Sequence, residues 1–168
     1  MNKKNRILIV EDEFIIAEGM RVKLEKLGYE ICGMVDSGAE AIAAAEKQRP
    51  DLILMDIMLA GDINGIEAAA RIAERLFVPV IYVTAYAGQA ILEQAKVTGP
   101  FAYITKPVKD AELHAAIEIA LHKARLEQVL REQNAELDRR VSERTADLWR
   151  ANARLKKEID ERICLNDA

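Results

Sequence analysis

The stretch "DLILMDIMLA", residues 51–60, places a single aspartate, Asp56, directly after the apolar run Leu52, Ile53, Leu54 and Met55. A continuous apolar run of this kind reads as a strand covered on both faces, the situation of a strand inside a parallel sheet. A carboxylate at the end of such a strand loses hydration and is unfavourable there unless something compensates for the loss. Both fold and chemistry therefore turn on what surrounds Asp56.

Outward from this strand, from residue 6 to about 109, short β-branched runs alternate with longer stretches of helical period. That alternation predicts a parallel sheet with helices on both faces, an α/β fold. The strands fall at residues 7–10, 29–35, 52–56, 80–84 and 101–104. Crossover helices of about ten to fifteen residues fill the intervals. Ser37, with Glu40 three residues on, is a capping box ahead of "AIAAAEK". Asn64-Gly65 is turn chemistry leading into "IEAAARIAERL", which makes residues 57–63 a loop beyond the strand end.

In open parallel sheets, ligands bind outside the carboxyl ends of the strands. Strand one ends in Glu11-Asp12, strand three in Asp56 and strand four in Thr84-Ala85, while Lys106-Pro107 follows strand five. Three carboxylates, a hydroxyl and an ammonium are thus expected at one rim. Two carboxylates ~4 Å apart repel by about 4 kcal/mol at an effective dielectric of ~20, so three should recruit a cation. All-oxygen ligands with no histidine or thiolate nearby favour Mg²⁺. With Asp12 and one Asp56 oxygen on the metal, the other Asp56 oxygen is free to attack phosphorus, Lys106 suits a phosphoryl oxygen, and Thr84 can donate to another. The set implies an acyl phosphate. Taken singly, the same residues have plainer readings: Asp56 a loop cap, Lys106 a surface lysine, Thr84 a strand residue and Tyr103 a half-buried core aromatic.

With "ILIVEDE", "DLILMDIMLAG", "PVIYVTAY" and "FAYITKPV" in this order, residues 5 to about 122 resemble the receiver domain of two-component response regulators. The resemblance implies a five-stranded, doubly wound, flavodoxin-like sheet of strand order 2-1-3-4-5. It implies Asp56 as phosphoacceptor, Mg²⁺ held by Asp12, Asp56 and the Met58 carbonyl, and Glu11 acting on the ion through water. It further implies backbone contacts to the phosphoryl group from Met58 and Ala85, Thr84 as switch hydroxyl, Tyr103 as aromatic switch, Lys106 as the phosphate-pairing lysine and a cis Lys106-Pro107 bond. A sensor histidine kinase or phosphotransfer protein is the implied partner, and self-phosphorylation and dephosphorylation the implied activity. "GDINGIEAAARI" is similar to a subgroup of receivers placed before sensor and kinase modules. Two departures stand out: the loop from Asp56 to Gly65 is one residue longer than in the commonest receivers, and Val108 stands where phenylalanine is frequent.

After Asp110 the chain has no proline or glycine and is expected to run as helix nearly to its end. Leu126, Leu137, Leu148 and Ile159 recur every 11 residues, with Leu130, Val141, Asn152 and Ile163 four residues after each, and Leu155 beside them. Eleven residues over three turns keep this stripe on one side of a nearly straight helix, which predicts a homodimeric coiled coil over residues 123–168 following a receiver over 1–122. The competing expectation, packing against the chain's own globular part, applies to the first few turns. "RVSERTADLWRANARLKKEIDER" resembles the coiled-coil signalling helix that follows such receivers. Charges in this segment, 11 basic and 13 acidic between Asp110 and Ala168, are interspersed as on a solvated face.

The net charge of -4, without a strongly basic window, disfavours nucleic acid and anionic membranes as partners. Cys32 and Cys164 lie far apart without metal-ligand spacing, and neither a signal peptide nor a membrane-spanning stretch is evident, so a cytoplasmic location is expected. Cys32 reads as a small core residue. His114 and His122, without a second ligand at matching spacing, read as surface or packing residues; a phosphotransfer role is disfavoured because "LHAAIEIA" and "LHKARLE" lack the acidic neighbour and proline usual in such helices. A phosphorylation-inert dimeriser or scaffold is the remaining alternative; the intact acidic pair, Thr84 and Lys106 argue against it.

Overall fold

The computed structural model describes residues 4–85, 99 and 101–166, with side chains described as far as residue 163. Five strands, β1 (Arg6–Val10), β2 (Glu30–Val35), β3 (Leu52–Asp56), β4 (Val80–Thr84) and β5 (Ala102–Thr105), form one sheet. All neighbours pair in parallel, in the order β2-β1-β3-β4-β5. Helices α1 (Phe14–Lys26), α2 (Gly38–Gln48), α3 (Gly65–Ala73) and α4 (Asp110–Asn166) complete the described elements. The crossover expected between β4 and β5 lies outside the described residues.

Apolar residues alternating along each strand feed two separate cores. Ile7, Ile9, Leu52, Leu54, Ile81 and Val83 point to one face, where α1 and the start of α4 cover them. Leu8, Val10, Ile53, Met55 and Tyr82 point to the other, under α2 and α3. β3 and β4 are buried along their whole length, as a strand covered on both sides must be.

Local signals set the helix boundaries. Ser37 Oγ accepts from the Glu40 N–H at 3.5 Å, and Arg49 in the left-handed region (φ 50°) ends α2. Asn64 caps α3 by accepting from the Glu67 N–H at 2.9 Å. Three expected strand starts move by one residue: β1 begins at Arg6, the Tyr29 N–H closes the end of α1 onto the Leu24 carbonyl, and Phe101 precedes β5 while donating to the Val80 carbonyl, the last two bonds each at 3.0 Å. Helix α3 ends at Ala73, earlier than the apolar pattern suggests, and past its end the Arg75 and Leu76 N–H groups share the Ile72 carbonyl at 3.0 and 2.8 Å.

The chain divides into two compact units, Met1–Arg125 and Leu126–Ala168. In the first, Leu113, Ile117, Ala120 and Leu121 of α4 are buried in the core beside α1. In the second, Leu126, Leu130, Leu137, Val141, Leu148, Leu155, Ile159 and Ile163 are all exposed. Its charged residues pair along the helix, as in Arg139 with Glu136 and Glu143, and Arg140 with Glu136. Among the described residues, no helix is long and apolar enough to cross a membrane.

Candidate functional site at the strand ends

Register places the site. Val10 pairs with Met55, Asp56 with Val83 and Thr84 with Thr105, so Glu11, Asp56, Thr84 and Lys106 leave adjacent strands at one rim. Glu11 and Asp56 are almost fully buried, 2% and 6% exposed, and Thr84 is 1% exposed. Carboxylate oxygens of Glu11, Asp12 and Asp56 lie within 4.8 Å of one another, with Asp12 the exposed member.

Each acidic group has a defined partner. Asp56 Oδ1 accepts from the Met58 N–H at 2.9 Å and Oδ2 accepts from Lys106 Nζ at 2.6 Å. Lys106 Nζ also sits 2.8 and 2.7 Å from the two Glu11 oxygens, bridging Glu11 and Asp56. Asp12 Oδ2 accepts from the Ala60 N–H at 3.2 Å, a contribution of the loop after β3 that residue types alone do not announce. Gly65 lets this loop close: a Cβ there would lie 1.9 Å from the Asp56 carbonyl oxygen. The Gly65 N–H instead donates to the Ile57 carbonyl at 3.0 Å.

Electrostatics follow from burial and proximity. Burial, with the charge of Asp56 beside it, pushes the Glu11 carboxyl up to about 7 despite the hydrogen bond from Lys106. Burial alone would lower the Lys106 ammonium, but its bonds to Asp56 and Glu11 outweigh this and its pKa is raised. A rim with an acid held partly protonated is short of positive charge. Its all-oxygen donor set within 4.8 Å fits a hard divalent cation.

The remaining residues take their places nearby. The Lys106–Pro107 peptide is cis, and the Lys106 N–H donates to the Thr84 carbonyl at 2.9 Å. Ala85 and Met58 are exposed at the rim. Tyr103 is half-buried, its ring 5.8 Å from that of Tyr82. Cys32 is only partly buried, packed against the second core, with its thiol pushed up by burial.

Two features had no signal in the sequence. Tyr29 Oη lies 3.0 Å from His114 Nδ1 and donates to Glu118 at 2.7 Å, giving His114 a structural role. A mostly apolar cavity of about 470 Å³ lies beside Lys106, between Ile16, Gly19, Met20 and Lys23 of α1 and Pro107-Val108. Lys23 reaches across it to the Val108 carbonyl and to Asp110.

This fold and rim define a known class. The family model of the response regulator receiver domain matches residues 7–118, and the chain belongs to that family. The transcriptional regulatory protein PdtaR of Mycobacterium tuberculosis is 36% identical over 139 residues, covering 83% of this chain and 67% of its own length. The signal receiver domain of a modulated diguanylate cyclase from Desulfovibrio desulfuricans G20 superposes with a TM-score of 0.71 at 42% identity, covering 74% of this chain and 99% of that one. The receiver domain of the sensor histidine kinase PA1611 from Pseudomonas aeruginosa PAO1, solved with a magnesium ion coordinated in its active site cleft, has a TM-score of 0.66 at 33% identity and covers 71% and 99% of the two chains.

Proposed function

We propose that this receiver accepts a phosphoryl group on Asp56 from a phosphohistidine of a partner kinase or phosphotransfer protein. The observation that carries this reading is Asp56 itself: a buried carboxylate fixed by the Met58 N–H and Lys106, with Glu11 and Asp12 at its side. Asp12, Asp56 and the Met58 carbonyl would hold Mg²⁺ directly, and Glu11 through water. A bound ion would neutralise charge on the entering phosphoryl group and lower the repulsion between the carboxylates.

The protein's own groups supply the rest. One Asp56 oxygen forms the O–P bond as the P–N bond to the donor breaks, and the imidazole, protonated on its other nitrogen, leaves neutral. Lys106 passes from the Asp56 carboxylate to a phosphoryl oxygen, where its charge is again matched. The Met58 and Ala85 N–H groups and the Thr84 hydroxyl are the donors for the other oxygens. Movement of Thr84 toward the phosphoryl group opens space that Tyr103 turns into, and the resulting change on the β5 face is the signal. The segment over residues 123–168 serves as a homodimeric coiled coil that carries it.

Acetyl phosphate labelling in Mg²⁺ tests the assignment. The label appears on the native chain and is lost in Asp56→Asn; a label that persists in the variant refutes Asp56 as acceptor. Beryllofluoride with Mg²⁺ separates the inert-scaffold alternative, which requires no change in the tyrosine or Trp149 signals and no heat of binding.

A further inference from the structure

We infer that the second unit pairs with another copy of itself as a parallel, in-register, two-stranded coil, and that Asn152 selects this arrangement. The inference rests on the homodimer reading above and adds its direction and register.

The exposed stripe lies at residues 126, 130, 137, 141, 148, 152, 159 and 163, with successive intervals of 4, 7, 4, 7, 4, 7 and 4. Seven of these are large apolar residues left 55–65% exposed on the single chain. The stripe is about 55 Å long at ~1.5 Å per residue, so a full cover must be long and carry the same 11-residue repeat. A second copy of this chain has both properties. The charged residues named above pair within one helix, whereas the apolar stripe stays exposed on the single chain.

The interval series reads the same in both directions, so apolar spacing alone permits parallel and antiparallel pairing equally. In the antiparallel alignment that matches all eight layers, Leu126 meets Ile163, Leu130 meets Ile159, Val141 meets Leu148 and Asn152 meets Leu137. Both copies then bury an amide against leucine, without a hydrogen-bonding partner in that layer. Shifting either alignment by one 11-residue repeat again sets Asn152 against Leu126, Val141, Leu148 or Ile163. Among these alignments, only the parallel, unshifted register places Asn152 against Asn152, where each amide can donate to the other. Leu155 then also faces Leu155, whereas the antiparallel alignment sets it against Asn134.

Cysteine cross-linking in the full chain, with Cys32 and Cys164 changed to serine, tests this. Leu126→Cys and Ile163→Cys chains, one carrying a mass tag, are oxidised separately and after mixing and exchange. Self-linked Leu126→Cys and self-linked Ile163→Cys dimers are expected, with at least a tenfold deficit of mixed Leu126→Cys to Ile163→Cys links. Mixed links without self-links overturn the parallel arrangement while leaving the homodimer intact. Light scattering separates the two readings: a monomeric mass refutes the homodimer itself, and a trimeric mass refutes two strands. Asn152→Leu in the same background is expected to admit mixed links; exclusive self-linking in that variant removes Asn152 as the selector.

Discussion

Lys106 meets two carboxylates at once, and its removal should expose what it compensates. Lys106→Met leaves Glu11 and Asp56 facing each other with Asp12 close by. Breaking a buried pair by deleting one partner costs about 3–5 kcal/mol; Lys106 keeps some solvent contact and the acids can take up a proton, so about 1–3 kcal/mol is expected, read by urea unfolding in EDTA. Added Mg²⁺ should recover much of that loss. Glu11 gives a pH signature of definite sign. Its carboxyl titrates near 7 in the folded chain against an ordinary 4.5. Between these values the folded state binds more protons than the unfolded one, so metal-free stability falls as pH rises from about 4.5 through about 7. Glu11→Gln should flatten that decline, and an unchanged slope would show that Glu11 is not its source.

At the level of elements, the loop between β3 and α3 carries the tightest geometric demand. A Cβ at Gly65 would meet the Asp56 carbonyl oxygen at 1.9 Å, a backbone atom that cannot yield without moving the acceptor strand. Gly65→Ala should therefore cost about 1–3 kcal/mol in thermal or urea unfolding, and should slow acetyl phosphate labelling of Asp56 as well. Asn64→Ala, which removes only the α3 cap, is expected to cost about 1 kcal/mol and to leave labelling near native. Much of this layer was legible beforehand. Apolar runs bounded by turn residues gave five strands, the pairing of Ser37 with Glu40 marked a helix start, and Asn64-Gly65 marked the turn ahead of another, because capping and turn chemistry are local. The link from Asp12 to the Ala60 N–H, the bridge from Lys106 to Glu11 and the contact of Tyr29 with His114 were not legible. Each joins residues 48 to 95 positions apart, and only the packed sheet brings them together.

For the molecule as a whole, the division at Arg125 separates the acidic rim and both cores from the exposed stripe. A chain ending at Arg125 should fold, accept the acetyl phosphate label and run as a monomer, since Leu113, Ile117, Ala120 and Leu121 remain to cover the sheet. Loss of labelling in that fragment would show that the acceptor depends on the second unit. On the proposed function, the Lys106 bridge also bears on when a phosphoryl group could be accepted. With all three acids ionised, the rim carries a formal charge of -2, since one ammonium offsets one of the three. An approaching phosphohistidine is itself anionic, so without a divalent ion like faces like across the rim. On the proposed function, magnesium would thus act as a licence: a fully charged phosphohistidine donor would find this rim unreceptive until the ion arrives.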